Sequence, residues 1–138
     1  MDASQDKTAP VTPYAILGDD GIRALANTFY DVMDERIEAA EIRAMHAASM
    51  DEIRQKLYEY LCGWMGGPPL YQQKYGTVCL TEPHKPYAIG PAQRDQWLDC
   101  MTIAVQRVAS RCTDDPERLI AMLDRPFYRV ADVVRNRD

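Results

Sequence analysis

The part of the sequence that decides the fold reads TEPHKPYAIG, from Thr81 to Gly90. It holds His84, one of only two histidines in the chain, between Pro83 and Pro86. Proline fixes its own backbone and disfavours helical geometry in the residue before it, so we expect no regular helix here. A histidine held rigidly in this way, ahead of an amphipathic segment that contains Trp97, is a candidate metal ligand. The alternative is an ordinary surface or turn histidine.

On both sides of this stretch, apolar residues recur at spacings of three and four, which indicates helices. No alternating pattern is long enough to require a strand, so the predicted fold class is all-α. The first predicted helix covers residues 20–34, and a short helical turn follows at 39–45. The next helix has a capping box of Ser49 and Glu52 and ends before Gly66, and one or two turns are predicted at 70–75. A long helix then runs from Pro91 to about Ser110, and a last helix starts at Asp114 or Asp115 and is interrupted and kinked by Pro126.

The segment from Pro68 to Gly90 is unusually long for a connection inside a compact domain, where loops beyond about 12–15 residues are uncommon and usually functional or disordered. It is too apolar to be disordered, because it carries Leu70, Tyr71, Tyr75, Leu80, Tyr87 and Ile89. We therefore expect this segment to wrap an apolar partner, and a flat cofactor would supply the buried surface.

Length and charge limit the class of protein. A chain of 138 residues is most simply one domain, here residues 14–138 after a flexible leader at residues 1–13. The net charge of -5 and the pI near 5.0 argue against nucleic-acid binding, which needs a clustered basic face. The sequence contains no apolar run of about 18 residues and no signal-peptide pattern, so we expect a cytoplasmic protein without a membrane span.

The four cysteines, Cys62, Cys79, Cys100 and Cys112, show no C-x-x-C spacing. In a chain without an export signal they are expected to be reduced thiols. Cys62 and Cys100 fall on apolar helix faces, where a thiol behaves as a small hydrophobic group. A zinc site built from scattered cysteines and histidines remains the alternative.

Several short motifs occur in a characteristic order along the chain. They are FY at 29–30, IRAMH at 42–46, GGP at 66–68, Tyr71, Gly76, His84, PYAI at 86–89 and RDQWLDCM at 94–101. Together they resemble the group II truncated haemoglobins, and the resemblance covers roughly Tyr14 to Val134. It implies a globin-like, truncated two-over-two helical sandwich around haem b (iron protoporphyrin IX).

The resemblance implies a role for each matching residue. His84 would be the proximal ligand of the haem iron, and Tyr30 would point its hydroxyl at the opposite coordination site. Trp97 would donate its indole N–H to a bound gas. The remaining distal-pocket positions would be His46, Ile53 and Leu57.

The resemblance also places residues around the rim of the haem. Lys56 and Tyr71 match positions that can hold the haem propionates, and Tyr87 is assigned to the cofactor site as well. Pro83 stands where many members have arginine, which removes one propionate contact that Lys85 can replace.

Each assignment has a plainer interpretation if the resemblance is set aside. Trp97 could be core packing, and Tyr30 an ordinary half-buried tyrosine. His46 could simply end a helix, where a cation complements the dipole. Lys56 could be a solvated surface residue, and Ile53 and Leu57 are core residues in either interpretation.

A globin of this type is expected to bind diatomic gases, O₂, NO and CO, at an open or weakly occupied sixth site. The polar pocket favours redox chemistry or detoxification over bulk oxygen transport. The alternatives are a NO dioxygenase or weak peroxidase served by a separate reductase, because the chain has no flavin or nicotinamide motif, and a non-haem helical sensor or interaction domain. The expected state is a monomer or homodimer, and Tyr30 or His46 could ligate the iron when no gas is bound.

Overall fold

The computed structural model describes residues 11–138, and these residues contain helices and no strand, as predicted. Residues 1–10 of the predicted leader lie outside the described residues. The helices are α1 (Pro13–Glu35), a short 3-10 helix (Ile37–Ala39), α2 (Ala40–Ala44), α3 (Asp51–Trp64), α4 (Leu70–Tyr75), α5 (Thr81–His84), α6 (Pro91–Cys112) and α7 (Pro116–Val133).

Two pairs of long helices form the frame of the molecule. Helix α1 packs along α3 and, most extensively, along α6, and α6 packs against α7. The side chains buried between them are almost all apolar, and the largest fully buried ones include Phe29, Ile22, Leu25, Met33, Leu61, Met65, Met101 and Leu119. These side chains fall at helical spacing along their helices, which is why the periodicity of the sequence located the core.

Helix α1 begins earlier than predicted. Thr12 caps it, because its hydroxyl accepts a hydrogen bond from the amide of Ala15 at 3.0 Å, and Pro13 occupies the first turn. Gly18 then interrupts the helical geometry with a φ of 70°, a left-handed conformation that glycine adopts without steric cost. The predicted helix from residue 20 is therefore only the part of α1 that follows this kink.

The predicted capping box of α3 is wrong. The N-cap is Met50, and the Ser49 hydroxyl only reaches the amide of Asp51, at 3.5 Å. Asp51 and Glu52 lie in the first turn, where negative charge complements the helix dipole. The predicted end of α3 is confirmed, since the helix stops at Trp64 and Gly66 adopts a φ of 99°.

Pro126 neither interrupts nor ends α7, contrary to the prediction. The helix continues from Pro116 to Val133, and Asp115 caps its start by accepting a hydrogen bond from the amide of Arg118. Leu119, Leu123, Phe127 and Ala131 are buried at intervals of four residues along one face. We attribute the continuous helix to this apolar face, whose packing outweighs the one hydrogen bond that a proline removes.

The segment from Pro68 to Gly90 is less irregular than the sequence suggested. It contains α4, as predicted, and the single turn α5, which ends at His84 and corrects the expectation of a non-helical His84. Pro83 is tolerated because the first amides of a helix have no helical acceptor. Helix α5 packs extensively against no other helix of the described chain, and α3 packs against α1 and α4 and, through the stacking of Trp64 on Phe127, against α7.

All four cysteines are free thiols: Cys62 and Cys100 are buried, as predicted, whereas Cys79 and Cys112 are exposed. Over residues 11–138, no group of three or more histidine, cysteine or acidic side chains could hold a metal ion, so the zinc alternative has no support there. None of the described helices is long and apolar enough to cross a membrane.

Candidate functional site

The imidazole of His84 is oriented by the backbone of its own turn. Its Nδ1 lies 2.5 Å from the carbonyl oxygen of Leu80, and because a carbonyl can only accept, Nδ1 carries the proton and donates it. The lone pair is then on Nε2, the nitrogen farther from the backbone. A histidine that donates through one nitrogen and offers the other is the usual form of a metal-ligating imidazole.

Tyr30 lies on the buried face of α1 and is 4% exposed. Burial raises its pKa well above the ordinary value, and the nearby charge of Arg54 opposes this only in part. The phenol therefore keeps its proton across the physiological range and can act as a hydrogen-bond donor.

The ring of His46 lies beside Tyr30, with 5.7 Å between the ring centroids. Its Nδ1 is 2.8 Å from the carbonyl oxygen of Ile42, which makes Nδ1 the donor and Nε2 an acceptor in the neutral ring. Burial is the main cause that lowers the pKa of His46; the hydrogen bond to the Ile42 carbonyl opposes it, and the positive charge of Arg43 lowers the pKa further. His46 is therefore mainly neutral at pH 7.

Arg43 fixes the chain that follows His46. Its guanidinium donates to the carbonyl oxygens of Ala47 and Ala48, each at 3.0 Å, and pairs with Asp34 at 3.0 Å. These contacts of Arg43 could not be predicted from the sequence, because the same arginine could equally have served the end of α2.

Trp97 projects from α6 and is half-buried against the core. Its ring centroid is 5.2 Å from that of Phe29, which in turn is 4.8 Å from that of Tyr30. On the other side it is 5.9 Å from Phe127, which stacks on Trp64 at 4.7 Å. Phe127 is a member of this aromatic cluster that the sequence analysis did not single out.

Ile53 and Leu57 lie half-buried on one face of α3, four residues apart, and the same face continues through Tyr60 and Trp64. Half-buried apolar side chains of this kind are the expected wall of a site for an apolar ligand. The structure thus brings Tyr30 and His46 into contact, joins Trp97 to them through Phe29, and leaves Ile53 and Leu57 on the facing helix.

The four residues assigned to the rim of the cofactor form two pairs. Lys56 and Tyr71 both lie beside the ring of Tyr75, 5.2 Å and 4.5 Å from its centroid, and Tyr71 also packs against Tyr60. Lys85 and Tyr87 lie in the loop that follows His84, where Lys85 pairs with Glu82 at 2.7 Å and Tyr87 is 42% exposed.

These residues suit a haem group. His84 offers one imidazole nitrogen with a free lone pair, half-buried apolar side chains line α3, and a neutral phenol and an indole stand on α1 and α6. This is the donor set of a haem ligated by one histidine with polar groups on the ligand side.

Comparison with known proteins agrees with this geometry. A family model described as bacterial-like globin matches residues 13–130. The group 2 truncated hemoglobin YjbI of Bacillus subtilis is 31% identical over 97 residues, which is 70% of each chain. A cold-adapted truncated hemoglobin from the Antarctic marine bacterium Pseudoalteromonas haloplanktis superimposes with a TM-score of 0.83 at 37% identity, covering 93% of this chain and 100% of that one. A group II 2-on-2 hemoglobin from Agrobacterium tumefaciens gives 0.82 at 38% identity, covering 95% and 98%.

The all-α frame and a single-histidine site define a globin of the two-over-two type. The chain belongs to the bacterial-like globin family, and within it to the group II truncated haemoglobins. Family membership implies that the protein binds haem and, through it, diatomic gases. A non-haem sensor or interaction domain therefore loses its support.

Proposed function

We propose that this globin holds haem b through Nε2 of His84 and binds O₂, NO and CO for redox chemistry or detoxification rather than for bulk oxygen transport. The observation that carries the proposal is that the chain offers both a free Nε2 on His84 and a neutral, buried phenol at Tyr30. Bound haem would supply an iron with one coordination site open to a diatomic gas.

The distal side chains would then act on the bound gas by hydrogen bonding. The Tyr30 hydroxyl and the Trp97 indole N–H are the two groups that would donate hydrogen bonds to a bound gas that carries partial negative charge. A hydrogen bond to a charged acceptor contributes roughly 1.5–3 kcal/mol net, or about 10- to 150-fold in affinity. Slow release of O₂ favours reaction of the bound gas over its delivery.

The remaining residues would shape the pocket and its rim. Ile53 and Leu57 would line the ligand's route from α3, and His46 would accept a hydrogen bond through Nε2 while it is neutral. Lys56, Tyr71, Lys85 and Tyr87 would meet the polar edge of the haem, and Lys85 would have to leave Glu82 to do so.

A second candidate is NO dioxygenase activity, favoured by the same two donors because they retain O₂ until NO arrives. It needs a separate reductase to restore ferrous iron. Mixing the oxygenated protein with NO in a stopped-flow instrument tests it: rapid, stoichiometric conversion to the ferric form supports this activity, and slow conversion contradicts it.

The absorption spectra of the ferric and ferrous protein test the main proposal. We expect a Soret band in the wild type and its loss in His84→Ala, because the change removes the imidazole that would hold the iron. His46→Ala is the control and should still take up haem. The proposal is wrong if the wild type shows no Soret band after reconstitution, or if His84→Ala leaves the spectrum unchanged. The same spectra show whether Tyr30 or His46 ligates the iron in the absence of gas.

A further inference from the structure

The side chain of Asn136, which follows α7, is bonded to the loop that carries His84. Its Oδ1 accepts a hydrogen bond from the amide of Ile89 at 2.9 Å, and its Nδ2 donates to the carbonyl oxygens of Tyr87 at 2.8 Å and His84 at 3.4 Å. Its backbone amide also donates to the carbonyl of Ile89, at 2.8 Å. One side-chain amide therefore uses its acceptor and its donors on three residues of the same loop.

These bonds matter because the turn that carries His84 is only lightly packed against the other described helices. Helix α5 packs extensively against none of the other described helices. Inside the loop, the amide of Tyr87 bonds back to the carbonyl of His84 at 3.0 Å, which shapes the turn but does not tie it to the frame. The contacts that reach the loop from another element include those of Asn136 and the amide of Arg137, which donates to Ile89 at 3.0 Å.

The other end of this connection is firmly held. Asp132, in the last turn of α7, accepts from Arg94 of α6 at 3.0 Å and from Arg135 at 3.1 Å. The guanidinium of Arg94 is largely buried, with 16% of its side chain exposed. The end of α7 is thereby fixed to α6, the helix that carries Trp97 on the ligand side.

We propose that Asn136 is the positioning residue of the proximal histidine, a role that rests on the proposed ligation of haem iron by His84. The side chain of Asn136 holds the loop at two points, the carbonyl of His84 and the amide of Ile89. The carbonyl of Leu80, which precedes His84, holds the imidazole ring. The two together set the direction in which Nε2 points. The site needs such a tie because Pro83 and α5 alone leave the turn standing apart from the frame.

Asn136→Ala tests this role, because it removes the three side-chain bonds and keeps the backbone amide bond. We expect faster hydrogen exchange of the Ile89 amide, a shifted iron–histidine stretching band in the resonance Raman spectrum of the ferrous protein, and haem dissociation about two- to tenfold faster, the size expected for the loss of one net hydrogen bond. Asp115→Ala is the matched control. It removes the cap at the other end of α7 and destabilises the fold without touching the loop.

The readouts separate positioning from plain stability. The role is supported if Asn136→Ala shifts the iron–histidine band and Asp115→Ala, at an equal or greater loss of stability, does not. It is overturned if the band and the exchange of the Ile89 amide are the same in Asn136→Ala as in the wild type, or if both variants change them equally. A wild type that takes up no haem would overturn the proposed function first, and this role with it, whatever the exchange rates.

Discussion

At the scale of single residues, the protonation of three side chains decides what a bound gas would meet. Tyr30 is a neutral donor because burial raises its pKa, and Trp97 can only donate. His46 differs, since its Nδ1 proton is directed at the carbonyl of Ile42 and its Nε2 accepts. The pocket thus offers two donors and one acceptor at neutral pH.

Replacing the indole tests the donor role of Trp97. Trp97→Phe keeps an aromatic ring against Phe29 but removes the N–H, so we expect O₂ dissociation to speed up by about 10- to 150-fold, the value of one bond to a charged acceptor. The rate is measured by displacing O₂ with excess CO in a stopped-flow instrument. Tyr128→Phe, which also removes a hydrogen-bond donor but from an exposed aromatic ring, is the control and should leave the rate nearly unchanged. An unaltered rate in Trp97→Phe would mean that Trp97 only packs.

The lowered pKa of His46 makes the stability of the fold depend on pH. The folded protein holds this proton less readily than the unfolded chain, whose histidine titrates near 6.5. Stability is therefore fully present above about pH 6.5 and declines as the pH falls through that value, because the unfolded state gains the proton first. We expect His46→Phe to lose less stability than the wild type between about pH 6.5 and pH 5.

Urea unfolding followed by far-UV circular dichroism measures this difference. Both proteins are compared at several pH values across the window, with His46→Gln as a second neutral replacement that keeps a polar side chain. If the free energy of unfolding changes with pH in the same way in the wild type and in both variants, His46 does not contribute to the pH dependence of stability.

At the scale of helices, the sequence predicted which helices exist better than where each helix begins and ends. The stripes of α3, α6 and α7 follow from residue spacing, and the stop at Gly66 follows from local backbone preference. The start of α1 was missed because Gly18 breaks its pattern, although Thr12 and Pro13 are a local start signal, and the passage of α7 through Pro126 depends on the surface against which α7 packs. Local rules state what a residue prefers, whereas packing decides whether the preference is met.

The ion pairs of Asp132, at the end of α7, stabilise the fold to an extent that depends on pH. Arg94 and Arg135 lower the pKa of Asp132, so the carboxylate is more acidic in the folded state. Its contribution is present above the unfolded pKa, near 3.8, and is lost as the pH falls through the lower folded value. Asp132→Asn should therefore be less stable than the wild type at neutral pH, and the difference should shrink in acid below that range.

Chemical unfolding at pH 7 and near pH 3 checks this expectation. Asp124→Asn is the control, because Asp124 is exposed on the same helix and forms no ion pair within residues 11–138. If Asp132→Asn and Asp124→Asn behave alike at both pH values, the bridge to Arg94 adds nothing to stability.

At the scale of the whole molecule, the identities of the site residues came from their resemblance to a family, and the connections between them came only from the structure. His84, Tyr30, His46 and Trp97 could be named from the sequence. The bonds to Leu80, Ile42 and Asn136 could not, because each ends on a backbone atom whose position the sequence does not specify. Asn136 lies 52 residues from His84, and no periodic pattern links the two.

The same frame explains why the site is divided between rigid and loosely attached parts. Tyr30 and Trp97 stand on α1 and α6, whose mutual packing is the most extensive in the molecule. His84 stands on a single turn that other helices scarcely touch. The positions of the side chains on the ligand side are therefore fixed by core packing, whereas the position of His84 is fixed by a few hydrogen bonds.

The distribution of the thiols gives this molecule built-in reporters for chemical labelling. Cys79 is exposed five residues before His84, so a fluorophore or spin label attached there would sense the proximal turn. Cys62 on α3 and Cys100 on α6 are buried, and a thiol reagent reaches them only when the packing around those helices opens. The rates at which a thiol reagent labels Cys62 and Cys100 would therefore report the opening of α3 and of α6 separately, without introducing a new cysteine.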